Sequence, residues 1–120
     1  MIERHGLALI PYFPLASGLL TGKYRKGQPI PPGTRLSEQR SSTRFMNEKN
    51  IDIVERLAAF CAERSRTMLD LAFGWLLARR SIASVIAGAT SPEQVRQNAA
   101  ALGWQLTTDE IAAVDRITAR

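Results

Sequence analysis

Two short, largely apolar runs, Leu7-Ala8-Leu9-Ile10 and Ser84-Val85-Ile86-Ala87, stand far apart in this 120-residue chain, with helix-patterned sequence between them. Apolar runs of this length predict strands buried on both faces, the kind that parallel sheets contain. In the intervening sequence, Asn50 can cap a helix whose apolar positions Ile51, Val54, Leu57, Ala58 and Cys61 recur at helical spacing. A second helix opens at Thr67, where Thr67 and Asp70 approximate a capping box, and continues through Leu69, Ala72, Phe73, Leu76 and Leu77. Parallel neighbours need a helical crossover, so this order predicts a parallel βαβ arrangement. Two strands alone make no sheet worth burying. The unit must pack on more strands, supplied by upstream chain, a partner subunit or another copy.

The segments leaving each run bear on function. Pro11 to Gly22 combines two prolines, two glycines and several apolar side chains, which predicts an ordered, partly buried loop at a strand exit. From Lys23 to Asn47 no periodicity is sustained, and Pro29, Pro31, Pro32 and Gly33 cluster. So long a loop is either a functional cover or a mobile insertion. After the second run, Gly88-Ala89-Thr90 leads to Ser91-Pro92-Glu93-Gln94, a strong helix start with serine at the cap, proline at the first helical position and glutamine three residues after the cap. This helix is expected to reach Leu102 and stop at Gly103. Thr107 to Glu110 repeats the capping logic, and Ile111, Val114 and Ile117 give the last helix one apolar stripe.

Composition is that of an ordinary globular domain, 45% hydrophobic and 22% charged. No stretch approaches the apolar length of a membrane span, and the N-terminus lacks the layout of a secretory signal, so the expected compartment is the cytoplasm. The net charge of +5 would ordinarily raise nucleic acid as a partner. Its distribution argues otherwise. The segment Lys23 to Lys49 holds seven basic residues, Lys23, Arg25, Lys26, Arg35, Arg40, Arg44 and Lys49, against Glu38 and Glu48, and the remainder of the chain balances. A domain built for a phosphate backbone spreads or stripes its charge over a face, whereas a surplus confined to one loop favours a local anionic ligand.

The turn Gly88-Ala89-Thr90-Ser91 ahead of Pro92 is a natural anion site, because first-turn amides can donate, the helix dipole favours negative charge and Gly88 lets a ligand approach. Gln94 and Asn98 add donors at the same end. Acid–base candidates are few: His5, the single histidine, lies ahead of the first strand, and Tyr12, Tyr24, Trp75 and Trp104 read as packing or stacking residues. The lone Cys61 sits at a buried helical position, can form no internal disulfide and has no partner for a metal site.

The run Ile10-Pro11-Tyr12-Phe13-Pro14-Leu15-Ala16-Ser17-Gly18-Leu19-Leu20-Thr21-Gly22-Lys23-Tyr24 resembles a signature of the aldo/keto reductase superfamily, in the branch that includes potassium-channel β-subunit-like reductases. The stretch Val85 to Asn98 looks like that family's eighth strand and following helix, and Leu106 to Ile111 resembles its closing helix. The resemblance spans nearly the whole chain. It implies an α/β fold: the last two βα units plus the C-terminal helix of a (β/α)8 TIM barrel, with residues 1–120 as the C-terminal portion of an NADP-dependent oxidoreductase domain.

By similarity, Phe13, Pro14, Leu15, Ala16 and Ser17 would wrap the nicotinamide side and pyrophosphate of NADP(H), with Tyr12 near the nicotinamide ring and Lys23 and Arg35 supplying charge along the cofactor. Gly88, Thr90 and Gln94 would hold the adenosine 2′-phosphate, with Gln97, where the family often has glutamate, and Asn98 at the adenine end. The family's catalytic Asp, Tyr, Lys and His come from earlier strands, and none of those motifs occurs here. The expected chain therefore grips cofactor, carries no catalytic or metal-binding residue and shows little or no reductase activity by itself. A different class of function is a non-enzymatic nucleotide-binding or subunit-interaction module that pairs with a complementing chain, or with its own copies, to complete the sheet.

Overall fold

The computed structural model describes residues 2–38 and 42–119. Among these residues six α-helices occur in chain order: α1 (Arg35–Glu38), α2 (Ser42–Phe45), α3 (Glu48–Ala62), α4 (Met68–Leu77), α5 (Pro92–Ala100) and α6 (Thr108–Thr118), with 3-10 turns at Glu3–His5, Ala16–Thr21 and Ala101–Gly103. The core lies where α3, α4 and α6 meet the Trp104-Gln105-Leu106 segment. It gathers Val54, Leu57, Phe60 and Cys61 of α3, Met68 and Leu71 of α4, and Val114 of α6. Trp104 is buried and stacks on Phe60 with centroids 6.2 Å apart. Half-buried Trp75 donates from Nε1 to Asp115 at 2.8 Å, tying α4 to α6.

The helix starts obey capping chemistry. Thr67 and Asp70 close a reciprocal box at the head of α4, as do Thr107 and Glu110 at the head of α6. For α3 the cap is Asn47, three residues before the expected Asn50. The Asn47 side chain accepts from the Asn50 amide at 2.9 Å, while Asn50 turns its own amide back to the carbonyls of Arg44 and Phe45. Two asparagines in one turn compete for the cap, and periodicity does not choose between them.

In α4 the deeply buried positions are Met68, Leu71, Phe73 and Gly74, a stripe rotated from the expected Leu69, Ala72, Phe73, Leu76 and Leu77. The helix is apolar nearly all round, so its period does not single out a face. Gly74 does. A Cβ there would lie 2.5 Å from Leu106 Cδ1 and 2.7 Å from the Trp104 carbonyl oxygen, so the glycine is what admits the chain that closes over α4.

The two apolar runs are parallel neighbours, as the βαβ reading requires. The Leu9 amide donates to Ser81 at 2.7 Å, the Ala83 amide to Leu9 at 3.0 Å and the Ile86 amide to Pro11 at 2.9 Å. These bonds make isolated bridges, Leu9 to Ile82 and Tyr12 to Ile86, and no continuous strand forms among the described residues. From the first bridge to the second, one segment advances three residues and the other four, so the second carries one extra residue, as in a bulge. Pairing starts at Ile82, ahead of the expected Ser84.

The expected burial on both faces is not found: Leu7 is 61% exposed, Ile10 53% and Ile86 59%. Among the described residues, the two paired segments have no third strand to continue their ladder and bury their side chains.

The stretch expected to be loop from Lys23 to Asn47 holds α1 and α2. Single-turn helices carry no period to read. Tyr24 and Leu36, 1% and 0% exposed, pin residues 23–36 of this stretch into the core as an ordered cover. Arg25 pairs with Glu55 at 3.2 Å and Lys26 with Asp52 at 2.6 Å, so part of the loop's positive charge is neutralised by α3. Arg40 lies outside the described residues. Cys61 is buried as expected, and that burial pushes its thiol up to about 11. No helix among the described residues is long and apolar enough to cross a membrane.

Candidate functional site

Parallel pairing brings the exits of both runs to one side of the molecule, where ligands of parallel α/β units are usually held. The first exit is a loop fixed by its own turns. Phe13, Ala16 and Ser17 hold φ of 60°, 47° and 58°, the left-handed region that side chains disfavour. Local bonds retain it: the Ala16 amide to Phe13 at 3.1 Å, the Gly18 amide to Leu15 at 2.9 Å, and Thr21 Oγ1 to the Gly18 carbonyl at 2.7 Å. Three non-glycine residues in this conformation, with Ser17 buried, mark a loop whose shape is over-determined.

The second exit is the turn into α5. Ser91 caps the helix, accepting from the Gln94 amide at 3.3 Å. Gln94 does not reach back to the Ser91 amide as a capping box would. Its Oε1 instead accepts from the Thr90 amide at 2.7 Å and from Thr90 Oγ1 at 3.1 Å. The amides of Ser91 and Glu93 have no partner among the described residues, and Pro92 has none to offer. Glu93 accepts from Gln97 Nε2 at 3.3 Å and lies 3.4 Å from Arg96.

Between the exits lies a cleft of about 900 Å³. It is lined by Tyr12, Phe13, Pro14, Leu15, Ser17, Lys23, Arg35, Gly88, Thr90, Gln94, Gln97 and Asn98, each a candidate from the sequence. Ala16 alone of that set faces elsewhere, into an apolar groove of about 380 Å³ floored by α3 and α4. Gly18, Thr21, Gly33, Leu69 and Ile86 also line the cleft, beyond the candidates that the sequence supplies, and so does Ala89 of the turn read as an anion site. Gly18 and Gly33 carry positive φ, a turn signal that could have pointed to them; Leu69 gives no signal, being one apolar helical residue among many.

One wall is aromatic and apolar. Tyr12 is 72% exposed and meets Phe13 edge-on, centroids 5.0 Å apart, and the Arg35 guanidinium stands 6.0 Å from the Phe13 ring. Lys23 supplies the second positive charge, its Nζ 5.5 Å from the buried Tyr24 ring. The other wall offers the neutral groups of Gly88, Thr90, Gln94, Gln97 and Asn98. No carboxylate, histidine or thiol lines the cleft among the described residues, and His5 sits exposed on the first 3-10 turn, before both runs. An elongated ligand with a flat ring and anionic groups suits these walls.

A family model described as "Aldo/keto reductase family" matches residues 1–119. The chain belongs to the aldo/keto reductase family. It is 32% identical over 121 residues to an L-glyceraldehyde 3-phosphate reductase of Escherichia coli O157:H7, covering 96% of this chain and 34% of that protein. Against an NADH-specific methylglyoxal reductase of Escherichia coli K12 the identity is 37% over 106 residues, with 86% and 31% covered. A probable voltage-gated potassium channel subunit beta of Oryza sativa subsp. japonica is 35% identical over 123 residues, 99% of this chain and 37% of that one. The solved structure of a glycerol dehydrogenase from Gluconobacter oxydans superposes with a TM-score of 0.74 at 29% identity, covering 98% of this chain and 36% of that chain. This aldo/keto reductase chain thus spans about a third of the length of the curated relatives it matches.

Proposed function

We propose that this chain is the cofactor-gripping part of an aldo/keto reductase, equivalent to the last two βα units and closing helix of a (β/α)8 barrel, and that the cleft takes NADP(H). The observation that carries the reading is convergence. Residues from two distant stretches, one around Phe13 and one around Thr90, line a single cleft with Lys23 and Arg35 on its edge. The residues fit such a group: a Cβ at Gly88 would meet nothing within 4 Å, which leaves the backbone open to approach, and the free Ser91 and Glu93 amides can meet an anion.

In this reading Tyr12 lies near the nicotinamide ring, Phe13 to Ser17 wrap the pyrophosphate side, and Lys23 and Arg35 offset its charge. Gly88, Thr90 and Gln94 meet the 2′ position of the adenosine ribose, and Gln97 and Asn98 the adenine end. The bound nucleotide supplies a hydride. The residues of this cleft orient it and keep its anionic groups in place; the acid that protonates a carbonyl oxygen is not among them, so carbonyl reduction by the chain alone is not expected.

Titration with NADP+ followed by tryptophan fluorescence or calorimetry tests the assignment. Saturable binding that weakens at least about tenfold in the double variant Lys23→Ala/Arg35→Ala is expected, from two charge-assisted contacts. Binding untouched by that variant would place the nucleotide elsewhere. Steady NADPH consumption with small aldehydes would overturn the expectation of inactivity.

The exposed Leu7, Leu9, Ile10 and Ile86 favour a second reading, an interaction module that completes its sheet with a complementing chain or with further copies of itself. Gel filtration with and without NADP+ separates the two: a defined oligomer supports the module, and a monomer that aggregates without partners supports an incomplete reductase.

A further inference from the structure

Resting on the cleft as a nicotinamide-dinucleotide site, we infer that it does not select NADP(H) over NAD(H). The two cofactors differ by one phosphate on the adenosine ribose, and strong preference for that dianion needs charge-assisted donors around it. The two cations lining the cleft, Lys23 and Arg35, sit on the aromatic wall, against the rings of Tyr24 and Phe13. The wall at α5 is built from neutral groups.

Two further features lower that wall's appetite for a phosphate. The amide and hydroxyl of Thr90 already donate to Gln94 Oε1, at 2.7 and 3.1 Å, so a phosphate oxygen arriving there must displace an existing acceptor. Glu93 places a carboxylate in the first turn of α5, and Arg96, the nearby cation, is drawn to that carboxylate at 3.4 Å and does not line the cleft. A neutral ribose hydroxyl can accept from Gln94 Nε2 and leave both Thr90 bonds intact, whereas a phosphate dianion calls for several donors at once. The helix dipole and the free Ser91 and Glu93 amides favour the phosphate, and the Glu93 carboxylate in the same first turn works against them.

Equilibrium titration of the 120-residue chain with NAD+ and with NADP+ at one ionic strength tests this. The expected result is an NAD+ dissociation constant no more than about threefold weaker than that for NADP+. Introducing the missing charge as Ala89→Arg, or separately as Gln97→Arg one turn into α5, is expected to tighten NADP+ about tenfold and leave NAD+ unchanged, since a new guanidinium–phosphate contact acts on one ligand only. Wild-type NADP+ binding ten or more times tighter than NAD+ overturns the inference, as does failure of both arginines to separate the two nucleotides. Binding of neither nucleotide removes the cofactor reading itself, a result distinct from unselective binding of both.

Discussion

Leu71 and Ile10 are apolar residues of equal size in one small chain, and their surroundings are opposite. Leu71, on α4, is buried among Leu57, Met68 and Val114, whereas Ile10, in the first apolar run, faces outward although it is flanked by equally apolar sequence. The contrast extends to whole regions. Helices satisfy most of their own backbone, so α3, α4 and α6 build a core from their apolar faces and the residues that close over them, Tyr24, Leu36, Trp104 and Leu106. A strand satisfies half of its backbone through each neighbour and buries its side chains only between two layers. The paired segments at Leu9 and Ile86 have one neighbour apiece.

The largest expected effect breaks or confirms this division directly. Leu71→Ala should cost about 2–5 kcal/mol, by lost burial plus the cavity it leaves. Ile10→Ala should cost no more than about 0.5 kcal/mol, the usual range for an exposed site. Urea midpoints at two protein concentrations measure both. A large loss from Ile10→Ala that grows with concentration would mean that the exposed edge is buried between copies in solution.

A smaller effect probes how the helical region closes. At Gly74, alanine would gain up to about 1 kcal/mol of helix propensity, yet its Cβ would stand 2.7 Å from the Trp104 carbonyl oxygen. Backbone cannot rotate out of the way as a side chain can, so overpacking of about 1–3 kcal/mol should win and Gly74→Ala should be net destabilising. A gain in the urea midpoint would show that the Trp104–Leu106 segment yields easily and that this region is less tightly determined than its burial suggests.

The same division explains what is legible in the sequence. Capping boxes at Thr67 and Thr107 and the cap at Ser91 are local chemistry, and each stands where the residues place it. The parallel relation of the two apolar runs is legible because a crossover leaves no other simple topology. Their burial is not: it depends on neighbouring strands, and no local signal records whether a neighbour is there. The single-turn helices α1 and α2 are invisible because four residues do not show a period, although buried Leu36 fixes them. Site geometry is legible as far as lining goes, with Ala16 the exception, because a left-handed backbone from Ala16 to Gly18 turns that methyl group away from the cleft, something residue type alone does not disclose. By residue type Gln94 is a donor to a ligand and a capping partner; its bond to Thr90 is a choice between neighbours that residue type does not make.

Tyr24 carries a buried polar atom that one substitution can remove. Its ring is buried under the loop, and its hydroxyl has no partner among the described residues. Tyr24→Phe removes the orphan group and keeps the ring, so it should stabilise by up to about 1 kcal/mol. Destabilisation instead would mean that the hydroxyl finds a partner in solution.

The smallest effect is electrostatic and should appear only in the helical region. The Thr107 backbone amide, donating at 2.9 Å, and behind it Arg64, 3.2 Å away, hold the Glu110 carboxyl below the ordinary carboxylate range. A folded value below the unfolded one means that the stabilisation is present above the unfolded value near 4.3 and disappears as pH falls through the folded value. Glu110→Gln should therefore cost about 0.5 kcal/mol at pH 7, a modest figure because solvent reaches and screens the pair, and progressively less as pH falls through the carboxylate range. Urea midpoints of both forms from pH 7 to pH 3 should converge on the acid side. A constant offset over that range would assign the loss to side-chain shape, and would remove the Arg64–Glu110 contact from the account of how α3 is held to α6.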